Sequence, residues 1–479
     1  MEQLKSMNCL VTGTANSVVF KRNIISRLES FLSSEKSIAA LIGPRKCGKT
    51  FALKQLIAGK SNCIYYDCKS MSEQEKLGLF DNLTDDLQKY RLIIIDEITY
   101  AEMPDVLLNK LANAIDGGTA KVILTGSQLV SIDSWVNMTM PTKCEKIYLS
   151  FLDFNEWVSF RGLDTNSLSE SDFLDYLQNS ANFFGITDNK AYLEGCITET
   201  IISNKNAINI IPGNTELVPE EINNVIAFLF VNLIKLHARV NWEFYLDPKR
   251  IATKIWDNVK DSHGVKFTQF VEEFCREFNK QHSFFSKITL ENLREYLRFL
   301  IKIDFITITD SLGDCTKLQR WLWGVGEAPI DNVVAFCKRY TVQVKYPMFY
   351  YNFLREFACF GEITLKDYNN SVVMGSALEC YVRGLISYET ESCVMDEFVP
   401  DTGGEIDYVD KTNLKALEIT ISNKSHKEVY FQQLDSWEDY DCVLLTKDIA
   451  LQRNNVQLIP FCKYVYEKSV QKRITRFPV

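Results

Sequence analysis

Gly43-Pro44-Arg45-Lys46-Cys47-Gly48-Lys49-Thr50 spells the pattern G-x-x-x-x-G-K-[ST]. The apolar run Ala39–Ile42 precedes it, and Phe51–Leu56, with helical spacing, follows. A strand, a glycine-bearing loop and a helix in that order make a cradle for phosphate. Glycines let the backbone curl so that successive N–H groups face one anion. The helix that follows adds the positive end of its dipole. Lys49 is then placed to reach the β- and γ-phosphates of a nucleotide, and the Thr50 hydroxyl to lie on Mg²⁺. All eight residues, Gly43, Pro44, Arg45, Lys46, Cys47, Gly48, Lys49 and Thr50, form the candidate binding segment.

Further apolar runs set the fold around this loop. Residues 20–34 have helical spacing, with Ile24, Ile25, Leu28, Phe31 and Leu32 on one face. Strand-like runs are Asn62–Asp67, Leu92–Ile95 ending in Asp96 and Glu97, and Lys121–Leu124 ending in Thr125-Gly126-Ser127. Continuous apolar runs of this length fit central parallel strands covered on both faces. Helical stretches such as Val106–Ile115 supply the crossovers. The expectation is a doubly wound α/β domain over residues 1–155.

An acid at the C-terminal end of a buried strand stands where open α/β sheets take their ligands. Asp96 is the candidate Mg²⁺ carboxylate. Glu97 is the candidate base that orients or deprotonates an attacking water. Thr125 and Ser127, at the end of the next strand, have two readings: a contact to the γ-phosphate or water, or a satisfied turn around Gly126.

Charge narrows the partners. The 479 residues carry a formal net charge of −9, which argues against indiscriminate polyanion binding. Fourteen cysteines are scattered without a C-x-x-C pair, and four histidines stand apart from one another. The cysteines read as buried reduced thiols of a cytoplasmic protein. No apolar signal segment follows Met1. The longest apolar stretch, Val225–Leu236, is too short to span a bilayer.

Beyond Phe151 the pattern turns helical, and residues 156–245 are expected to form a helical lid. Over 246–345 the order is three helices, sharpest at Thr289–Leu300, then β-like runs at Ile303–Thr309 and Leu318–Trp323. That is the order of a winged helix. On the sharpest helix Arg294 and Arg298 alternate with Glu291 and Glu295, which reads as a solvated charge ladder more than a phosphate-reading face. Residues 346–479 give a compact α/β module: a helix Ala377–Ile386, strands Asp396–Val399, Glu405–Val409 and Lys415–Ile421, a helix near Val429–Trp437, and a strand Asp441–Thr446.

The chain resembles the AAA-like P-loop ATPases of bacteria and archaea that carry a C-terminal restriction-endonuclease-like domain. The residues behind the resemblance are Gly43–Thr50 for G-P-R-x-x-G-K-T, Ile95-Asp96-Glu97 for I-D-E, and Leu124-Thr125-Gly126-Ser127 for L-T-G-S. Phe151-Leu152-Asp153-Phe154-Asn155-Glu156-Trp157 partly matches a fourth motif, P-L-S-F-x-E-F. Later come Glu379-Cys380-Tyr381-Val382 for E-x-x-V and Glu405–Val409 for E-[IV]-D-[FY]-V. The resemblance implies ATP and Mg²⁺ as ligands, with DNA or another protein as partner of the winged-helix and C-terminal modules. Related sequences place a G-R arginine before the fourth motif; here Lys143 stands in that neighbourhood. Lys143 is therefore the candidate stand-in for a catalytic cation, although a lysine lacks the guanidinium fork.

The same resemblance implies a second metal site of the PD-(D/E)xK type, with Glu379, Asp407 and Glu418 as its carboxylates. Carboxylates there hold Mg²⁺ while a lysine steadies the attacking water. The lysine position is Thr420, and Lys424 lies about 20 Å along a regular strand from Glu418. The expectation is a nucleotide switch coupled to a nuclease-like module of degenerate chemistry. An ATP-gated nuclease and a non-hydrolysing ATP-binding scaffold are the alternatives.

Overall fold

The computed structural model describes residues 20–101, 104–115, 120–126, 142–187, 191–196, 266–285, 289–310, 316–331, 339–358, 370–386, 393–399, 404–421 and 439–471, with residues 132, 136, 249, 252, 253, 256, 335, 336 and 437 between them. Ser127, Val225–Leu236, Lys424 and nearly all of the helix expected near Val429–Trp437 lie outside the described residues. So does much of the lid, 197–245.

The N-terminal elements are α1 (Ile24–Leu32), β1 (Ile38–Ile42), α2 (Lys49–Ile57), β2 (Cys63–Asp67), α3 (Glu73–Lys89), β3 (Leu92–Asp96), α4 (Pro104–Ala114), β4 (Lys121–Gly126) and β5 (Cys144–Tyr148). The five strands form one sheet in the order β2-β3-β4-β1-β5, and every pair is parallel. Strand alternation sends Ala39 and Leu41 of β1 into one core, with Leu28 and Phe31 of α1 and Leu53 of α2. Ile38, Ala40 and Ile42 enter another, with Leu83 of α3 and Leu111 of α4. A sheet buried on both faces explains why β1, β3 and β4 read as unbroken apolar runs.

The first core continues into the rest of the chain through α5 (Phe154–Arg161) and α6 (Glu170–Asn179). Next come α7 (Phe267–Phe285), α8 (Leu290–Lys302), β6 (Ile306–Asp310), α9 (Thr316–Leu322) and β7 (Tyr340–Val344). Strands β6 and β7 pair antiparallel. The segment Leu318–Trp323, expected as a strand, lies mostly in helix α9. Its buried residues Leu318, Trp321 and Leu322 repeat at i, i+3 and i+4, the period of a helix face. The partner of β6 is Tyr340–Val344 instead.

On α8 the charges pair as a ladder: Arg294 with Glu291 and Glu295, and Arg298 with Glu295 at 2.9 Å. Arg298 is buried, so this rung is not solvated as expected. The chain then runs through α10 (Pro347–Ala358), α11 (Asn370–Ile386), β8 (Cys393–Val399), β9 (Gly404–Asp410), β10 (Lys415–Glu418), β11 (Asp441–Thr446), β12 (Leu451–Arg453), β13 (Val456–Pro460) and α12 (Phe461–Gln471). Its six strands are ordered β12-β13-β11-β10-β9-β8, with β10 antiparallel to β9 and parallel to β11. Among the described residues no helix is long and apolar enough to cross a membrane.

Candidate functional site

The octapeptide joins β1 to α2, at the C-terminal edge of the parallel sheet. Its tight course depends on two glycines. A Cβ on Gly43 would fall 2.1 Å from the Leu149 carbonyl oxygen, which no rotamer relieves. Gly48 has φ of 95°, and a Cβ there would meet Phe184 and the Arg22 guanidinium. The neighbouring Lys46 also turns left-handed, with φ of 58°.

Lys49 is 4% exposed, and its ammonium donates to the carbonyls of Gly43 at 2.9 Å and Pro44 at 3.0 Å. The cation is thus folded into its own loop. Thr50 donates its hydroxyl to Asp96 Oδ2 at 2.6 Å. Two hard oxygen donors side by side suit Mg²⁺, which keeps much of its water and takes few protein ligands.

Asp96 ends β3 and is 1% exposed. Three hydroxyls surround it: Thr50 and Tyr65 on Oδ2, the latter at 2.5 Å, and Thr125 on Oδ1. Burial beside this carboxylate pushes the Tyr65 phenol far above its ordinary range, so it stays a donor. The Thr125 hydroxyl also accepts the Glu97 N–H at 3.1 Å. Thr125 therefore faces Asp96 and supports it. Glu97 adopts φ of 52°, a left-handed turn that takes its side chain out of the strand's alternation. Such a turn is uncommon for a residue other than glycine and gathers at functional sites.

The outer residues of the loop are anchored elsewhere. Arg45 donates to the Gly195 carbonyl, Lys46 to the Gly185 carbonyl at 3.0 Å, and Tyr192 to the Arg45 carbonyl. Behind the loop stands Arg22, which sequence reasoning missed. It donates to Cys47 O at 2.7 Å, Ser150 O at 2.9 Å and Glu156 Oε1 at 2.8 Å. Tyr65 was missed as well. Neither lies in a motif, and Arg22 and Glu156 are 134 positions apart. The Cys47 side chain is buried, and burial raises its thiol pKa, so its part in the loop is its backbone.

Lys143 does not reach this site. It immediately precedes β5, whose first residue, Cys144, lies beside Ile38 at the start of β1. Because β5 runs parallel to β1, Lys143 stands at the opposite end of the sheet from the loop, about 17 Å of strand away. Its ammonium donates to the Ala112 carbonyl at 3.2 Å. As the candidate stand-in for a catalytic cation, Lys143 therefore does not serve the loop of its own chain.

In the C-terminal module Asp407 on β9 is buried, and its Oδ2 accepts the Ile419 N–H at 2.7 Å. Glu418 ends β10, and Glu379 lies half-buried on α11. Among the described residues no group of three or more His, Cys, Asp or Glu could hold a metal ion. The triad expected from Glu379, Asp407 and Glu418 is therefore not assembled as a metal centre.

Residues 35–158 match the family model described as AAA domain, and the chain carries an AAA-like P-loop ATPase domain there, built on the five-stranded parallel sheet. Among solved structures, the Walker-type ATPase PABY2304 of Pyrococcus abyssi is similar at 16% identity and a TM-score of 0.30, covering 61% of this chain and 92% of that one. DnaA from Aquifex aeolicus, bound to AMPPCP, is similar at 15% identity and a TM-score of 0.26, covering 58% and 90%. Likeness at this level transfers neither function nor residue roles. Comparison with curated proteins finds no match.

Proposed function

We propose that the chain binds ATP·Mg²⁺ in the loop after β1 and hydrolyses it slowly, as a nucleotide switch. One observation carries the reading: the Asp96 carboxylate meets the Thr50 hydroxyl at the mouth of a loop that already encloses the Lys49 ammonium. Thr50 and Asp96 would hold Mg²⁺. Lys49 would exchange two neutral carbonyls for β- and γ-phosphate oxygens, a gain in charge pairing within a buried site. Glu97, turned out of β3, would take the proton of the attacking water. Slow turnover follows from the place of Lys143, since no stand-in for the missing arginine is supplied from that position.

The start of α5 supports coupling to the rest of the chain. Glu156 holds Arg22 behind the loop. The two preceding backbone N–H groups, of Phe154 and Asn155, donate to the Tyr381 hydroxyl of α11 at 2.9 Å and the Ser469 hydroxyl of α12 at 3.3 Å. A helix N-terminus shared between the loop and the last module would offer a contact route between them.

The element order α11, β8, β9, β10, with β11 parallel to β10, supports a restriction-endonuclease-like fold for that module. Thr420 in the lysine position argues against cleavage chemistry. Helix α8 followed by paired β6 and β7 supports a winged-helix-like segment, with α9 as a departure from the pattern. A DNA or protein partner would be engaged through these two modules. The remote Lys143 also favours a second reading, a scaffold that binds ATP without turning it over.

Phosphate release separates the two readings. The switch reading expects slow Mg²⁺-dependent release by the wild type, and retention of uncleaved ATP by Glu97→Gln. Intact ATP recovered from both proteins after prolonged incubation would favour the scaffold and sink hydrolysis.

A further inference from the structure

We infer that Arg22 is the positioning residue that presets the loop for phosphate, acting through the peptide between Cys47 and Gly48. The inference rests on the loop being a nucleotide site. Arg22 precedes α1 and is 1% exposed, yet its three nitrogens each meet a different acceptor. Nη1 holds Cys47 O, Nη2 holds Ser150 O, and Nε holds Glu156 Oε1. The Phe184 ring covers the guanidinium at 5.5 Å.

The Cys47 carbonyl and the Gly48 N–H belong to one planar trans peptide and point in opposite directions. Holding that carbonyl on Arg22 turns the Gly48 N–H away from Arg22, toward the ligand side of the loop. A phosphate oxygen then meets a donor that is already oriented, and the ordering of this peptide is not charged against binding.

The surroundings fit a device for orientation. Glu156 Oε1 accepts the Asn23 N–H at 2.8 Å as well as Arg22. Gln55 of α2 accepts the Arg22 N–H at 3.2 Å and donates to the Phe20 carbonyl at 2.6 Å. Residues 20–23 are thereby pinned both to the start of α5 and to the helix that leaves the loop. Gly48 takes part too: a Cβ there would stand 2.8 Å from Arg22 Nη1. Three diverging acceptors need the rigid fork of arginine, which a lysine ammonium cannot reproduce.

The test titrates wild type, Arg22→Lys, Arg22→Met, Glu156→Gln and Lys49→Ala with ATP·Mg²⁺ and ADP·Mg²⁺, well below each melting temperature. Inorganic pyrophosphate serves as competitor. Loss of one charge-assisted hydrogen bond that orients a ligand donor corresponds to a roughly 10- to 100-fold drop in affinity. That drop is expected for both Arg22 variants with ATP and ADP, and by the same factor for pyrophosphate. Glu156→Gln keeps an acceptor for Nε but removes the ion pair that steadies Arg22, so its affinity should fall between those of wild type and the Arg22 variants.

Arg22 variants that melt cooperatively and bind nucleotide and pyrophosphate like wild type would leave only a buried ion pair and overturn the proposal. Loss of the fold in both would make Arg22 a folding residue and overturn it likewise. Lys49→Ala binding ATP like wild type is a different failure: it removes the nucleotide site itself, and the role of Arg22 with it.

Discussion

Thr50 and Asp96 are joined by a 2.6 Å hydrogen bond although the strands that lead to them, β1 and β3, are not neighbours. The loop of Thr50 leaves β1, Asp96 ends β3, and β4 lies between them in the sheet. Thr125, on that intervening strand, gives its hydroxyl to the other oxygen of the same carboxylate. Hydroxyls from the loop and from the middle strand thus fix one carboxylate at the sheet edge, before any ligand arrives.

Asp96→Asn removes the negative charge of this cluster and keeps its size. The gain in ATP affinity on adding Mg²⁺ should shrink by about tenfold, or ~1.4 kcal/mol. Affinity in EDTA should be unchanged or slightly better, because a carboxylate facing phosphate has been neutralised. Calorimetric titration with and without EDTA checks this. An undiminished Mg²⁺ effect in the variant would remove Asp96 from the metal's surroundings.

Thr125→Val would leave both Asp96 Oδ1 and the Glu97 N–H without their hydroxyl, inside the protein. The expected loss is about 2–3 kcal/mol of unfolding free energy. Tyr65→Phe removes one donor of two on Oδ2 and should lose less, about 1–2 kcal/mol. Urea unfolding would measure both. If the tyrosine variant were the less stable of the two, the ranking of the two oxygens would be wrong.

Cys68 and Cys144 are buried, and burial lifts each thiol from 9.0 to about 12. At pH 8 only roughly one part in ten thousand of either is thiolate. Both should resist a disulfide reagent in the folded protein and react once it is unfolded. The stability these neutral thiols contribute is complete below pH 9 and is lost as pH climbs toward 12. Peptide mapping of fast labelling to Cys68 or Cys144 at pH 8 would contradict their burial.

The central sheet was legible because its chemistry is local. β1, β3 and β4 are buried on both faces, so their sequences are unbroken apolar runs, and the loop carries its own glycines. The edge strand β5 gave a weaker signal: Cys144-Glu145-Lys146-Ile147-Tyr148 mixes charges with apolar residues and is only half covered. The assignment of Lys143 rests on analogy of position, whereas the parallel direction of β5 and β1 puts it at the opposite end of the sheet from the loop. The i, i+3, i+4 pattern of Leu318, Trp321 and Leu322 was present in the sequence, but a short aromatic-rich run is ambiguous between helix and strand. Arg22 with Glu156, and Tyr65 with Asp96, are contacts between distant segments. Only the folded chain brings them together, and no spacing rule announces them.

The claim on which the rest depends is that the Gly43–Thr50 loop binds ATP·Mg²⁺ through Lys49. Isothermal titration of the full chain and of Lys49→Ala with ATP and excess Mg²⁺ tests it most directly. The account expects saturable one-site binding by the wild type and a loss of at least about 100-fold in the variant, matching removal of two charge-assisted contacts, one to each of two phosphates. Equal affinities for the two proteins, or no binding by the wild type, would contradict it.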